Sequence, residues 1–200
     1  MPKVSEEYKK QKRKEILLHA EKLFADKGFR DTTVDDIARA AGVSKGALYV
    51  YFKSKEDIFL ALLDDAMERT LKKLRLTEEV SAAEKLKRLV DFVQRVKITD
   101  EVKQKTKFQV EAWLYLTREE RFQSVLKERW TQFKSLFQHI VEEGQEKGEF
   151  SREVNAGDVA SWFWALHDGL YLHALIVFDQ AAYDRTVELA QNMLWKQLKG

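Results

Sequence analysis

The segment from Thr33 to Lys55 constrains the fold most, because its spacing fits two short helices that cross at a steep angle. Ala38 is small enough to let the two backbones approach, and Gly42 can take the positive φ of a tight turn. Apolar residues that close a small core between the helices stand at Ile37, Val43 and Leu48. The pattern predicts a helix-turn-helix, whose second helix lies in the major groove of DNA. The alternative is an ordinary helical hairpin.

Both short helices begin with a residue that can cap them. Thr33 precedes the first helix, and Ser44 stands at the exit of the turn as the N-cap of the second. The backbone N–H groups at that second helix start face outward, where a phosphate oxygen fits, and Lys45 adds a positive charge.

The residues from Gly28 to Ile58 resemble the TetR family of bacterial transcriptional regulators. Its signature is matched at almost every element: G-F, then T-T-V-x-D-I-A-x-x-A-G-V-S-x-G-x-L-Y-x-Y-F-x-S-K-E-D-L, with Ile58 replacing the final Leu. The resemblance covers about the first 60 residues. It implies that the DNA backbone is contacted by Thr33, Ser44, Tyr49, Tyr51 and Lys55. It also implies that base edges are approached by Lys45, Gly46 and Ala47.

Simple geometry supports roles for both tyrosines and for Lys55. Tyr49 and Tyr51 lie about 200° apart on a helix, so one can close the core while the other offers its hydroxyl to a phosphate. Lys55 stands at the start of the next helix, where a cation is unfavourable to the helix dipole. That placement hints at a partner outside the helix, and a phosphate is the natural one.

The distribution of Gly and Pro indicates an all-α chain. Pro occurs only at Pro2, and neither Gly nor Pro occurs from Ala47 to Glu143. About nine helices are expected, near residues 9–27, 34–40, 45–51, 55–75, 82–97, 101–116, 119–147, 156–178 and 181–198. We expect a three-helix DNA-binding domain at 1–54 and a helical ligand-binding and dimerisation bundle at 55–200.

Composition narrows the functional class. Cysteine is absent, which leaves no disulfide, thiolate metal site or thiol redox switch. The N-terminus is rich in Lys and Glu and shows no signal peptide, so a cytoplasmic protein is expected. Residues 1–60 carry 13 Lys and Arg against 10 Asp and Glu, although the whole chain has a net charge of only +2. The basic cluster at Lys9–Lys14 is either a solvated helix start or, as we favour beside a helix-turn-helix, a segment near the DNA backbone.

The C-terminal half contains all five Trp residues. For any single ring the better interpretation is bundle core, but together bulky rings can leave a cavity between helices. The TetR resemblance also implies a small-molecule pocket in this half. We expect it to be lined by Phe108, Trp113, Trp130, Phe137, Trp162, Phe163 and His167.

Residues 159–178 carry a single formal charge, Asp168. Their length would allow a membrane span, but His167, Asp168 and His173 near the centre would be costly in hydrocarbon. A buried helix is therefore expected, with no membrane. The resemblance implies a homodimer through the last two helices, which would hold two reading helices on a palindromic site.

No arrangement of side chains suggests catalysis, a metal or a cofactor. His167 and His173 lie about 240° apart around a helix, so they do not share a metal from one face. We expect a transcriptional regulator, most simply a repressor that a small molecule releases from its operator. The alternative is a helical ligand-binding or scaffold protein that does not read DNA.

Overall fold

The computed structural model describes residues 5–74, 76–77, 79–177 and 179–199. Within these residues the chain forms nine α-helices and no strand. They are α1 (Glu6–Lys27), α2 (Val34–Ala40), α3 (Lys45–Tyr51), α4 (Lys55–Leu74), α5 (Ala82–Gln94), α6 (Asp100–Leu116), α7 (Glu120–Glu146), α8 (Ala156–Val177) and α9 (Gln180–Lys199). Each predicted helix is present, and the all-α prediction is confirmed.

The chain divides into two compact units, and the first extends beyond the predicted domain boundary at residue 54. It contains the chain up to Thr70 together with Gln104–Glu119, whereas the second contains Leu71–Lys103 and the chain from Glu120 onward. The reason lies in side-chain packing, because Phe108 of α6 contacts Phe24 of α1 and Phe59 of α4. Most of α6 therefore belongs to the unit that contains the helix-turn-helix.

Four buried phenylalanine rings form the centre of the first unit. Phe24 lies 5.3 Å from Phe29 and 5.8 Å from Phe108, measured between ring centroids, and Phe59 lies 5.5 Å from Phe29. All four side chains are almost fully buried. Buried aromatic rings dominate the energetics of a small core, so these contacts join α1, α4 and α6.

The loop between α1 and α2 is held from two sides by charged side chains, in an arrangement that we call the loop clamp. The carboxylate of Glu111, on α6, accepts the backbone N–H groups of Phe29 at 3.0 Å and Arg30 at 2.8 Å. The ammonium of Lys55, on α4, donates to the carbonyl oxygens of Phe29, Arg30 and Thr32 at 2.8–3.0 Å. The loop therefore has backbone donors and acceptors satisfied by side chains from two different helices.

Gly28 allows the loop clamp to close. Its φ of 85° is one that L side chains rarely adopt, and a Cβ atom there would lie 2.9 Å from the Glu111 carboxylate. A larger residue would meet both backbone strain and the carboxylate that accepts the next two amides.

The second unit is a helical bundle around a core from α5, α7, α8 and α9. The rings of Phe137 and Phe163 stack 4.4 Å apart between α7 and α8, and both are fully buried. Lys85 of α5, which is nearly buried, forms an ion pair with Glu143 of α7 at 2.8 Å. The two lysines at positions 85 and 147 hold the pKa of Glu143 below its ordinary value, through hydrogen bonds with its carboxylate. No helix within the described residues combines the length and apolar character that crossing a membrane requires.

Removing the Glu111 carboxylate should destabilise the protein. Glu111→Ala leaves two backbone N–H groups of a partly buried loop without their acceptors, which costs about 1–3 kcal/mol in the free energy of unfolding. Lys105→Ala is the matched control, because Lys105 lies on the same helix and forms a partly exposed ion pair with Glu21. Its effect should stay below about 1 kcal/mol. Urea unfolding followed by circular dichroism measures both, and equal effects would contradict a special role for Glu111.

Candidate nucleic-acid interface and ligand site

Both predicted helix caps of the helix-turn-helix are present. The hydroxyl of Thr33 accepts the backbone N–H of Asp36 at 3.1 Å, and the Asp36 carboxylate accepts the N–H of Thr33 at 3.2 Å. Ser44 caps α3 by accepting the N–H of Ala47 at 3.1 Å. Between the helices, Gly42 takes a φ of 63°, as the sequence predicts for a tight turn. Local side-chain chemistry therefore defines both helix starts.

Helix α3 has one buried face and one open face. Leu48 is fully buried, whereas Lys45, Gly46, Tyr49 and Val50 are exposed. Ala47, among the residues expected near base edges, is half-buried. The open face is a contiguous surface along a short helix, because Gly46 and Tyr49 lie three residues apart, while Lys45 and Tyr49, like Gly46 and Val50, lie four apart.

The two tyrosines of α3 have different surroundings, as their angular separation predicts. Tyr49 is exposed, while Tyr51 is half-buried. Lys9 and Lys12 of α1 both lie near Tyr51, which places the start of α1 near the end of α3. Phe52 is buried, and the Arg13 guanidinium lies 5.0 Å from its ring centroid. Side chains of the basic cluster therefore lie beside the end of α3.

Lys45 is held by an acidic neighbour across the turn. Its ammonium lies 2.9 Å from the carboxylate of Asp35, and both side chains are about half exposed. The hydrogen bond with Asp35 raises the pKa of Lys45 above its ordinary value. The lysine therefore stays charged, and its ammonium is held against the first turn of α2.

Lys55 has its partners within the chain. Its three hydrogen bonds to backbone carbonyl oxygens use as many donors as an ammonium carries, and the nitrogen lies 4.8 Å from the Phe29 ring centroid. Burial lowers the pKa of Lys55. From sequence, a cation at this helix start is expected to need a partner outside the helix, and a phosphate is the natural one. The structure supplies carbonyl groups of the loop between α1 and α2, which no local spacing could have revealed.

The seven residues expected to line a ligand pocket are divided between the two units. Phe108 and Trp113 belong to the first unit, where both contact Phe59. Phe137 and Phe163 belong to the core of the second unit. Trp130 and Trp162 are exposed, with 46% and 39% of the residue surface accessible. For Phe108, Phe137 and Phe163 the observed surroundings match the bundle-core interpretation.

His167 stands apart because it lies in a cluster of aromatic rings on α8. Its imidazole centroid is 5.3 Å from Trp164 and 4.5 Å from Tyr171. The Nδ1 atom of His167 is buried and has no hydrogen-bond partner among the described residues. Burial lowers the pKa of His167 to about 4, so the imidazole is neutral at neutral pH. Trp164 and Tyr171 were absent from the sequence prediction, although their spacing of three and four residues from His167 could have indicated them.

Two cavities in the second unit contain none of the seven predicted residues. One, of about 60 Å³, is a small space between α8 and α9, where it contacts His173, Asp179 and Tyr183 among others. The other is an open polar cleft of about 450 Å³ at the start of α8, beside Gln138, Arg152 and Asn155 among others. The first has room for only a few water molecules. Among the described residues, His, Cys, Asp and Glu side chains form no group of three suited to a metal ion.

Two family models match the chain. The model described as bacterial regulatory proteins of the tetR family matches residues 16–62, which include the whole helix-turn-helix. The model described as the C-terminal domain of BetI-type transcriptional repressors matches residues 82–199, more than half of the chain. The first match contains α2 and α3, and the second contains α5 to α9.

Individual proteins are similar over most of the chain. The HTH-type transcriptional regulator YfiR of Bacillus subtilis is 30% identical over 188 residues, covering 92% of this chain and 89% of the relative. The HTH-type transcriptional repressor KstR2 of Rhodococcus jostii is 33% identical over 161 residues, covering 72% and 70%. A transcriptional regulator from Saccharomonospora viridis, solved in complex with choline, has a TM-score of 0.74 at 22% identity and covers 94% and 98%. At 22% identity, the similarity to the Saccharomonospora viridis protein shows a shared fold.

The buried imidazole of His167 should make stability depend on pH. Its pKa is about 4 in the folded protein against an ordinary value of 6.5. Below pH 6.5 the unfolded chain therefore takes up a proton that the folded chain does not, and stability falls as the pH falls toward 4. The loss at pH 5 relative to pH 7.5 should be about 2 kcal/mol.

Comparison with His167→Phe isolates this contribution. Carboxylates whose pKa is lowered by ion pairs, such as Glu143, act equally in both proteins and cancel in the difference. Urea unfolding at pH 7.5 and pH 5 should show a smaller loss of stability for the variant. An identical loss in both proteins would contradict a buried, neutral His167.

Proposed function

Since this chain belongs to the TetR family of bacterial transcriptional regulators, we propose that it is a repressor that leaves a palindromic operator when a small molecule binds. It acts in the cytoplasm as a homodimer. The observation that carries this proposal is the open face of α3, which presents Lys45, Gly46 and Tyr49 while Leu48 anchors the helix from behind. A rigid helix with one exposed face fits the major groove.

The contacts to DNA fall into two groups in this proposal. Phosphate oxygens are bound by the hydroxyl groups of Ser44, Tyr49 and Tyr51, which fixes the orientation of α3. The Thr33 hydroxyl joins them by exchanging the Asp36 carboxylate, to which it donates at 2.9 Å, for a phosphate oxygen. Lys45, Gly46 and Ala47 approach base edges, because they lie on the first turn of α3. Lys55 acts one step away, as a positioning residue that holds the loop before α2 through three carbonyl groups.

The homodimer is supported by an apolar stripe on α8. Its exposed members follow one another at alternating spacings of three and four residues: Trp162, Ala165, Gly169, Leu172 and Ile176. Leu189 and Met193 on α9 are exposed as well, the former by 61%. An exposed stripe at this spacing matches a helical interface, and a second copy of the same helices is the occupant that we propose.

The effector site is placed beside His167. The neighbouring rings of Trp164 and Tyr171 offer apolar surface and, for a cationic ligand, attractive ring faces. The unsatisfied Nδ1 atom offers one hydrogen bond. An effector with an apolar or cationic body and one hydrogen-bonding group fits this chemistry. The effector shifts the protein away from the operator-bound conformation only to the extent that it binds the other conformation more tightly.

Operator binding tests the central proposal. Purified protein is titrated onto the DNA upstream of its own gene at two salt concentrations, with random-sequence DNA as competitor. We expect competitor-resistant binding to a palindrome with two chains per duplex. Tyr49→Phe should weaken binding about three- to tenfold, since one hydroxyl–phosphate hydrogen bond is lost. Tyr171→Phe, a change on α8, should leave affinity unaltered.

The outcomes separate the proposal from its alternative. Weak binding that disappears with salt and shows no preferred sequence would indicate non-specific attraction to phosphates and favour a scaffold protein. Ile176→Glu tests the dimer within the same assay, because a charge on the α8 stripe should reduce affinity for the full palindrome. Affinity for a single half-site should then stay unchanged.

The effector proposal has its own test. Choline, which the regulator from Saccharomonospora viridis binds, is the first compound to add to the operator complex. Small amines and alcohols follow in the same assay. A responding compound should weaken operator affinity by about 5- to 150-fold. His167→Phe should keep the affinity of the free protein for the operator and lose most of this response. A response that survives in the variant would contradict a site beside His167.

A further inference from the structure

Val50 is the most exposed of the large apolar side chains that the structure describes, with 78% of its surface accessible. A single exposed apolar residue needs no explanation by itself, since folded proteins expose many. The position of Val50 gives the observation its meaning. It lies on the open face of α3, the helix that we propose enters the major groove.

Val50 shares one side of α3 with two residues that have small or no side chains, Gly46 and Ala47, and the three form an apolar strip. Gly46 precedes Val50 by four residues and Ala47 by three, so the three share one side of the helix. Gly46 has no neighbouring atom within 4 Å of the place where a Cβ would stand. Among Gly46, Ala47 and Val50, the two methyl groups of Val50 project furthest. Base edges can therefore approach the α3 backbone closely, and Val50 would be the first side chain that they meet.

Charged and polar groups flank this apolar strip. Lys45 precedes it and Lys53 follows it, both exposed, and Tyr49 is exposed next to Val50. Lys53 and Lys45, the latter paired with Asp35, place positive charge on either side of the strip, while the side chains of the strip itself can make no hydrogen bond. Helix formation does not require valine here either, because β-branched residues are weaker helix formers than alanine.

Only one feature of the major groove matches an apolar side chain. Base pairs present hydrogen-bond donors and acceptors there, except for the C5-methyl group of thymine. We propose that Val50 selects thymine at one position of each half-site by packing its methyl groups against the thymine C5-methyl. This inference rests on the proposed function, because it assigns one further specificity-determining residue to the same DNA-binding surface.

The test removes the C5-methyl group of one thymine from the DNA and, separately, the two methyl groups of Val50 from the protein. The operator is first selected from a random-sequence duplex pool with the purified full-length protein. Each thymine is then replaced in turn by deoxyuridine, which lacks only the C5-methyl group. For the wild type, one thymine per half-site should stand out with about a fourfold loss of affinity, the value of one buried methyl group. Replacement in both half-sites should cost about fifteenfold.

Val50→Ala should remove this sensitivity. Both subunits carry the change, so its affinity for the unmodified operator should fall by about fifteenfold, as it does for deoxyuridine in both half-sites. Deoxyuridine at the sensitive position should then lower the affinity of the variant hardly any further. The variant should fold, because Val50 is exposed and alanine is the better helix former. Tyr49→Phe is the matched control on the same face, and it should bind more weakly while keeping the sensitivity to deoxyuridine.

The possible failures are distinguishable. If no sequence is enriched from the pool, the proposed function fails and this inference fails with it. If an operator is enriched but contains no invariant thymine, only the inference is overturned. It is also overturned if wild type and Val50→Ala show the same losses at every thymine.

Discussion

The loop clamp ties the start of the helix-turn-helix to the rest of the first unit. Backbone N–H groups of the loop before α2 are bound by Glu111, and carbonyl groups of the same loop are bound by Lys55. Both side chains are anchored on long helices whose phenylalanine rings pack together. The start of α2, and through the turn at Gly42 the direction of α3, is therefore fixed by contacts from α4 and α6.

Local chemistry made much of the fold predictable. The caps at Thr33 and Ser44, the turn at Gly42 and the buried Leu48 are consequences of nearest neighbours along the chain, and the structure contains each of them. The positions of the helices were predictable for the same reason, because the spacing of apolar residues and the polar segments between helices can be read from the sequence. Glu111 was beyond reach, because its partners lie more than 80 residues away.

The candidate site was less predictable, for two physical reasons. Aromatic residues look alike in sequence whether they fill a core or line a cavity, so Phe137 was grouped with Trp130 although one is buried and the other exposed. A charge at an awkward position indicates that a partner exists without identifying it, and for Lys55 the partners were carbonyl groups. By contrast, the exposure of Val50 depends on how α3 is seated, which only three-dimensional packing determines.

The first unit is assembled from two separate stretches of sequence, and this limits how the protein can be re-engineered. A chimera that joins residues 5–70 to a foreign sensor domain would include α1 to α3 and Lys55. It would lack Phe108 and Glu111, which the Gln104–Glu119 segment supplies. The backbone N–H groups of Phe29 and Arg30 would then lose the carboxylate that accepts their hydrogen bonds. Such a chimera therefore keeps these two hydrogen bonds only if the foreign helix that replaces α6 carries a carboxylate at the position of Glu111.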